Sequence, residues 1–174
     1  YLSRLGVRNF YSQGQPGRWG QLGPHFYVMT RLAWDIHQDV DRVMEAYFRD
    51  SFGSAADYMP AYYDLLARSL DKEEVFIHHM ALEEARSFCT PDVMSGASRY
   101  LEQAKEKAEN DVIRERVHGF YVAHEYAKRY LEAVELGTEY DRTKDVDRLQ
   151  ACVAMWEEVI RFSRDNAGYE GVSY

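Results

Sequence analysis

Acidic and imidazole side chains in this sequence show the spacing of metal ligands on a helix. Glu115 and His118 form the Glu-x-x-His half of a carboxylate di-iron site. Such a site needs two of these motifs and a Glu from each of two further helices, whereas this chain has one motif. The pattern therefore favours an ordinary Glu–His pair on a helix surface, and neither a metal nor another cofactor is predicted.

Other titratable groups also fit ordinary roles better than catalytic ones. Glu74 with His78, and His79 with Glu83, are i,i+4 pairs that could hold zinc, but pairing on a solvated helix face explains them as well. His124 lies on an apolar stripe, where a hydrogen-bonded core imidazole is more usual than a catalyst. The sequence contains no phosphate-binding loop, nucleophile elbow or Cys/His framework.

The first 20 residues have a pattern that suits ligand binding. Residues 7–12 (VRNFYS) are typical of a short strand, and a glycine-rich loop follows. In β/α architectures, ligands bind at the carboxyl ends of strands. Gln13, Arg18 and Trp19 leave the strand at such a position, and an exposed Trp can stack on a sugar ring. We therefore predict a substrate-binding site at these three residues, with an ordinary loop over a buried Trp19 as the alternative.

From Pro24 onward the patterns are helical. Capping residues predict helix starts, glycines predict helix ends at Gly53, Gly137 and Gly168, and Pro60 is expected to bend the second turn of its helix. The predicted starts are Pro24, Asp39, Ser54, the segment after Asp71, Thr90 with Pro91, the run that follows a turn near Asn110 and Asp111, and the helix that carries Val146. Apolar residues at 3/4 spacing predict the buried face of each helix. For the last helix this stripe is Val146, Leu149, Val153, Trp156 and Ile160.

Composition limits the choice of partners and compartment. The chain has 174 residues and a formal net charge of −8, which argues against nucleic acid or an anionic membrane as a partner. No run of 18 apolar residues occurs, so no membrane span is predicted. Cys89 and Cys152 fall in different predicted helices, and free thiols are favoured over a disulfide. Since the sequence does not begin with Met, we expect it to be a piece of a longer protein.

Two segments carry a resemblance to a known family. LGVRNFYSQG and the block RLAWDIHQDVDRVMEAYFRDSFGSAADYMPAYYDLL resemble the end of the α-glucuronidase-like, glycan-degrading proteins called domain of unknown function 4838. The matching positions are Gly6, Val7, Gln13, Gly14, Leu32, Trp34, Asp35, Asp39, Val40, Asp41, Phe52, Gly53, Ala55, Ala56, Tyr62 and Tyr63. The later segment AKEKAENDVIRERVHGFYVAHEYAKRYLE is more loosely similar to the C-terminal helices of the family.

The resemblance implies a parent protein with a (β/α)₈ barrel. Residues 1–23 would form the last strand and loop of this barrel. Residues 24–174 would form a mainly α domain behind the barrel, which is a bundle of about six helices. A barrel needs about 250 residues, so an upstream barrel segment is an implied partner. The parent would be a bacterial glycoside-hydrolase-like protein, secreted or periplasmic, that acts on polysaccharide, with Arg18 suited to a uronic carboxylate.

Catalysis is not expected from this chain alone. The two carboxyl groups of a glycosidase lie on earlier strands in related enzymes, and Gln13 is neither an acid nor a nucleophile. The alternative is a stand-alone helical domain that docks another protein and has no carbohydrate role. In both cases, a glycosidase fragment or a stand-alone domain, the chain could also form a homodimer through its helical domain.

Overall fold

The computed structural model describes residues 2–7, 19–71 and 82–169 of the chain. These residues form six α-helices and three short 3₁₀ helices, and they include no strand. The α-helices are α1 (Trp19–Trp34), α2 (Val40–Phe52), α3 (Tyr58–Asp71), α4 (Pro91–Lys107), α5 (Asp111–Thr143) and α6 (Val146–Asp165). The 3₁₀ helices are Leu2–Leu5, Gly53–Ala55 and Leu82–Ser87. The predicted bundle of about six helices is confirmed for this part of the chain.

Side-chain caps fix where several helices begin, as the sequence predicted for Asp39 and Thr90. The Asp39 carboxylate accepts hydrogen bonds from the backbone N–H groups of Asp41 and Arg42 at the start of α2. Thr90 and Asn110 cap α4 and α5 in the same way. Each side chain satisfies a backbone donor that the first helical turn leaves without a partner.

The start of α1 differs from the prediction. Residues 8–18 lie outside the described residues, and Val7, the one described residue of the predicted strand, has no regular secondary structure. Trp19 was predicted to lie in a loop, but it is the first residue of α1, and Pro24 is the sixth. A proline here loses one hydrogen bond close to the helix end. Gly23 allows close packing of this extra turn on α2, because a Cβ there would lie 2.2 Å from the hydroxyl oxygen of Tyr47.

The connection between α2 and α3 also needs correction. Gly53 ends α2 as predicted, with a φ of 49°. Ser54 does not cap the next helix: it lies in a 3₁₀ turn, and its hydroxyl donates to the carbonyl of Lys107 at the end of α4. That carbonyl would otherwise lack an intrahelical donor. Pro60 therefore falls in the first turn of α3, where its missing N–H has no partner to lose and no bend is required.

Two further predictions about helix extent were wrong. For the helix expected after Asp71, residues 72–81 lie outside the described part, and its described end, Leu82–Ser87, is a 3₁₀ helix instead of an α-helix. Gly137 does not end α5, which continues to Thr143 and stops at Lys144 in the left-handed conformation. Gly137 instead lies opposite Cys152 of α6, whose sulfur would be 3.6 Å from an added Cβ. A small residue is used here for helix packing rather than for a stop.

The core joins α2, α3, α4 and α5. The rings of Phe52 of α2 and Phe120 of α5 meet edge to face, with centroids 5.7 Å apart and planes at 70°. On α4 the small residues Ala97 and Ala104 are fully buried together with Leu101, which lets this helix pack closely on its neighbours. The core cluster consists of Phe48, Phe52, Ala55, Met59, Leu101, Ala104, Ala108, Ile113, Val117 and Phe120.

The last helix packs against α5 and makes no comparable contact with another described helix. Its buried residues are Cys152, Val159 and Ser163. The stripe predicted to be buried was therefore wrong: Val146, Leu149, Val153 and Ile160 are exposed. Since neighbouring helix positions differ by about 100°, the true contact face lies one position away from the predicted one.

Candidate functional site

The substrate-binding site predicted at the start of the chain falls on residues or side chains outside the described part. Gln13 and Arg18 lie outside the described residues, and so does the side chain of Trp19. The substrate-binding site at these three residues stays a prediction.

A cavity of about 920 Å³ lies between the 82–90 segment, α4 and α5. Its wall carries three basic and three acidic side chains, which are Arg86, Arg99, Lys128, Glu102, Glu132 and Glu135. Arg86 already binds Thr138 at 3.0 Å and approaches Glu135 at 3.7 Å. Because the six formal charges cancel, the wall does not favour a ligand of one sign.

Ser98 lines this cavity, and behind it lies the buried His124. The Ser98 hydroxyl oxygen lies 2.9 Å from Nε2 of His124, in the range of a nucleophile and its general base. However, Nε2 also lies 3.1 Å from the carbonyl oxygen of Met94, and the Ser98 hydroxyl donates to that same oxygen at 3.1 Å.

The Met94 carbonyl, which both Ser98 and His124 contact, decides whether His124 can act as a base. A carbonyl oxygen only accepts, so the Met94 contact requires a proton on Nε2. That nitrogen cannot then take the proton of Ser98. Burial lowers the pKa of His124, which keeps the imidazole neutral. The prediction of a hydrogen-bonded core imidazole at His124 is confirmed, and this geometry does not activate Ser98.

A thiol on the cavity wall is not activated either. Cys89 is a free, partly buried thiol, and burial raises its pKa. The thiolate is the nucleophilic form, so the raised pKa leaves little of it at neutral pH. Nearby Tyr62 is partly buried, and this burial raises its pKa to about 12, which leaves it protonated. The prediction that Cys89 and Cys152 are free is confirmed.

Metal ligands do not cluster in the described residues, where no group of three His, Cys, Asp or Glu side chains could hold an ion. Glu115 is exposed and binds the hydroxyl of Tyr169, which raises the pKa of that tyrosine. His118 stacks on Tyr121 at 6.3 Å. His78 and His79 lie outside the described residues.

The most distinctive surface lies on α6. We call Val146, Leu149, Val153 and Ile160 the α6 outer face; their exposed fractions are 62%, 38%, 51% and 47%. Trp156 lies along its edge and contacts Tyr130 of α5, with ring centroids 5.2 Å apart and planes at 89°. Tyr126 lies one turn before Tyr130, at 6.2 Å. Apolar and aromatic groups thus form a continuous surface across the α5–α6 hairpin.

A second network fixes this hairpin from the opposite side. Arg129 binds Glu125 at 2.6 Å, approaches Glu158 of α6 at 3.6 Å, and stacks over Phe162 at 4.3 Å. Burial of Glu125 would raise its pKa, but its bonds to Lys128 and Arg129 outweigh burial and hold the pKa below its usual range. The α6 outer face is therefore carried by a helix that is firmly attached to α5.

Sequence reasoning missed two of these arrangements. Ser98 and His124 are 26 residues apart, and no spacing rule links them. Tyr126 and Tyr130 did carry a signal, because i,i+4 aromatics share one helix face.

No helix of the described chain has the length and apolar character to cross a membrane. Comparison with known proteins finds no matching family model, no matching characterised protein and no matching solved structure.

Proposed function

We propose that this chain is a non-catalytic helical domain that binds another folded protein surface through the α6 outer face. The observation that carries the proposal is that four branched apolar side chains stand exposed along one capped helix. Single exposed apolar residues are common, but a continuous apolar surface marks an interaction site.

The exposed area is large enough to matter energetically. Full burial of a Val, Leu or Ile side chain contributes about 1.5–3 kcal/mol. The four side chains are roughly half exposed, so covering them would contribute about 1 kcal/mol each, before the cost of association. Trp156 and Tyr130 add aromatic groups of the kind enriched at the centres of interfaces.

The resemblance to glycan-degrading proteins fits within this proposal. In a glycoside-hydrolase-like parent, a helical domain without the catalytic carboxylates would serve by packing against the barrel. The substrate contacts of Gln13, Arg18 and Trp19 remain a prediction of that resemblance. In the alternative, a stand-alone domain, the same face would dock a separate protein.

An environment-sensitive fluorescent dye tests whether the face is an accessible apolar surface. The triple variant Val146→Gln, Val153→Gln and Ile160→Gln should bind less dye, while its free energy of unfolding changes by less than about 0.5 kcal/mol per site. The control is Val159→Gln, on the buried face of α6, which should lose about 1–3 kcal/mol of stability. If the triple variant is destabilised as strongly per site as the control, the face is packed inside the fold and the proposal is wrong.

A further inference from the structure

We propose that the cavity between the 82–90 segment, α4 and α5 binds a short linear peptide, whose amino group lies at Glu132 and whose carboxylate lies at Arg99. This cavity is separate from the α6 outer face, and the inference does not depend on the proposed function. It follows from two wall charges of opposite sign that have no partner among the described residues, from the distance between them, and from the apolar and hydroxyl groups that lie between them.

Half of the charges on the cavity wall already have partners. Lys128 binds Glu125 at 2.8 Å, and Arg86 approaches Glu135 at 3.7 Å. Each of these cations lies beside a carboxylate, so it presents little net charge to a ligand. The wall charges that make no ion pair with a described residue are Arg99, Glu102 and Glu132. One cation and two carboxylates are therefore available to a ligand.

The Arg99 guanidinium is turned toward the middle of the cavity. On α4 the wall runs from Pro91 to Glu102, and Nη2 of Arg99 lies 3.9 Å from the position of a Cβ at Gly96, near the midpoint of that wall. Glu102 lies three residues beyond Arg99 in the opposite direction, at the outer end of the wall. The charge nearest the centre of the α4 wall is thus the cation.

The two opposite charges lie about 10–15 Å apart along the cavity. Since α4 and α5 are joined by residues 108–110 alone and pack side by side, they run in opposite directions. The contact of His124 with the Met94 carbonyl marks one level on both helices. Gly96 is two residues from this level and Glu132 is eight residues from it in the other direction, which amounts to about 15 Å. The Glu132 side chain shortens this distance, because helical side chains lean toward the N-terminus of their helix.

This separation selects a peptide over a single amino acid. An extended chain spans about 3.3–3.6 Å per residue, so the two termini of a tetrapeptide lie about 13 Å apart. The amino and carboxylate groups of one amino acid are joined through a single carbon atom and cannot reach both charges. The cavity volume of about 920 Å³ also falls within the range of ligand pockets, about 300–1,000 Å³.

The wall between the two charges suits the middle of a peptide. Pro91, Met94 and Leu131 supply apolar contacts for peptide side chains. Ser95 and Ser98 supply hydroxyl groups, which can exchange hydrogen bonds with peptide groups. Each peptide unit carries one donor and one acceptor, so hydroxyl groups can satisfy it without a further charge.

Isothermal titration calorimetry with the tetrapeptide Ala-Leu-Leu-Ala tests the site. With both termini unmodified, the tetrapeptide should bind with a dissociation constant of about 0.1–1 mM, because exposed ion pairs contribute little affinity. Acetylation of the amino group, or amidation of the carboxylate, should each weaken binding about fivefold. Absence of binding up to about 10 mM of the unmodified tetrapeptide would overturn the inference.

Variants of the two charges locate each end of the peptide. Arg99→Gln should weaken binding of the unmodified tetrapeptide about fivefold but leave the amidated form unchanged, because that form has no carboxylate. Glu132→Gln should weaken binding of the unmodified tetrapeptide about fivefold but leave the acetylated form unchanged, because that form has no charged amino group. The matched controls, Arg42→Gln and Glu45→Gln, replace exposed charges on α2, outside this cavity, and should not change binding.

Two other results would contradict the proposed arrangement. If Glu102→Gln, rather than Glu132→Gln, removes the effect of acetylation, the amino group lies at the outer end of the α4 wall and the orientation is wrong. If Arg99→Gln and Glu132→Gln weaken the unmodified and the end-modified peptides equally, the peptide termini do not contact these side chains and the assignment of the site is wrong.

Discussion

Phe52 and Trp34 are two aromatic residues whose truncation to alanine should have opposite consequences. Phe52 is 2% exposed and Trp34 is 92% exposed. The ring of Phe52 lies 6.2 Å from those of Tyr47 and Phe48 and 5.7 Å from that of Phe120, so it connects α2 to α5. No comparable packing surrounds Trp34 at the end of α1.

The expected magnitudes follow from burial. Removing a buried Phe ring costs about 3–5 kcal/mol, because apolar contacts are lost and a cavity remains. Three ring contacts are lost with Phe52, so we expect Phe52→Ala to lie near 4 kcal/mol, a large share of the 5–15 kcal/mol typical of a folded domain. Trp34→Ala should change the free energy of unfolding by less than about 0.5 kcal/mol.

Urea titration monitored by circular dichroism would measure both variants. Phe52→Ala should lower the midpoint strongly with an unchanged m value, since the surface exposed on unfolding is similar. A loss below about 1 kcal/mol for Phe52→Ala, or an equal loss for Trp34→Ala, would refute the assignment of the core to the α2–α5 contact.

Two further predictions concern His124 and Gly53. Burial holds the folded-state pKa of His124 below the unfolded value of about 6.5, so the unfolded state binds more protons as the pH falls below 6.5. The wild-type chain should then lose stability relative to His124→Gln by at most about 1.4 kcal/mol per pH unit, measured by urea titration from pH 7.5 to 5; equal slopes would contradict this. Gly53 has a φ of 49°, and a Cβ there would lie 2.7 Å from Cδ1 of Ile113. Gly53→Ala should cost about 1–3 kcal/mol in thermal or urea unfolding, whereas Gly168→Ala, which meets open space, should cost less than about 0.5 kcal/mol.

The sequence predicted helix boundaries where the deciding contact joins residues that are close along the chain. Asp39, Thr90 and Asn110 each bond to backbone groups within three residues, and a sequence displays such a relation directly. Gly137 failed as a stop signal because its role is set by α6, which packs against it from a distant part of the chain. Ser54 failed for the same reason, since its partner is the carbonyl of Lys107.

The buried face of α6 could not be deduced from periodicity. The helix carries apolar residues at two adjacent sets of positions, Cys152 with Val159 and Val153 with Ile160. Both sets satisfy helical spacing, and only the packing against α5 selects the first. The same ambiguity hid the α6 outer face, because an apolar stripe on an outer surface has the sequence pattern of a core stripe.

The order in which the helices contact one another has a consequence for folding kinetics. The most extensive packing joins α5 with α6, α3 with α4, and α4 with α5, which are neighbours along the chain. Contacts between sequence neighbours require little loop closure, so such topologies cross a low entropic barrier and fold within microseconds to milliseconds. The more distant contacts are those of α1 and α2 with α5. During synthesis on a ribosome, α1 and α2 therefore emerge before the other four α-helices of the described chain but cannot complete the core until α5 has followed.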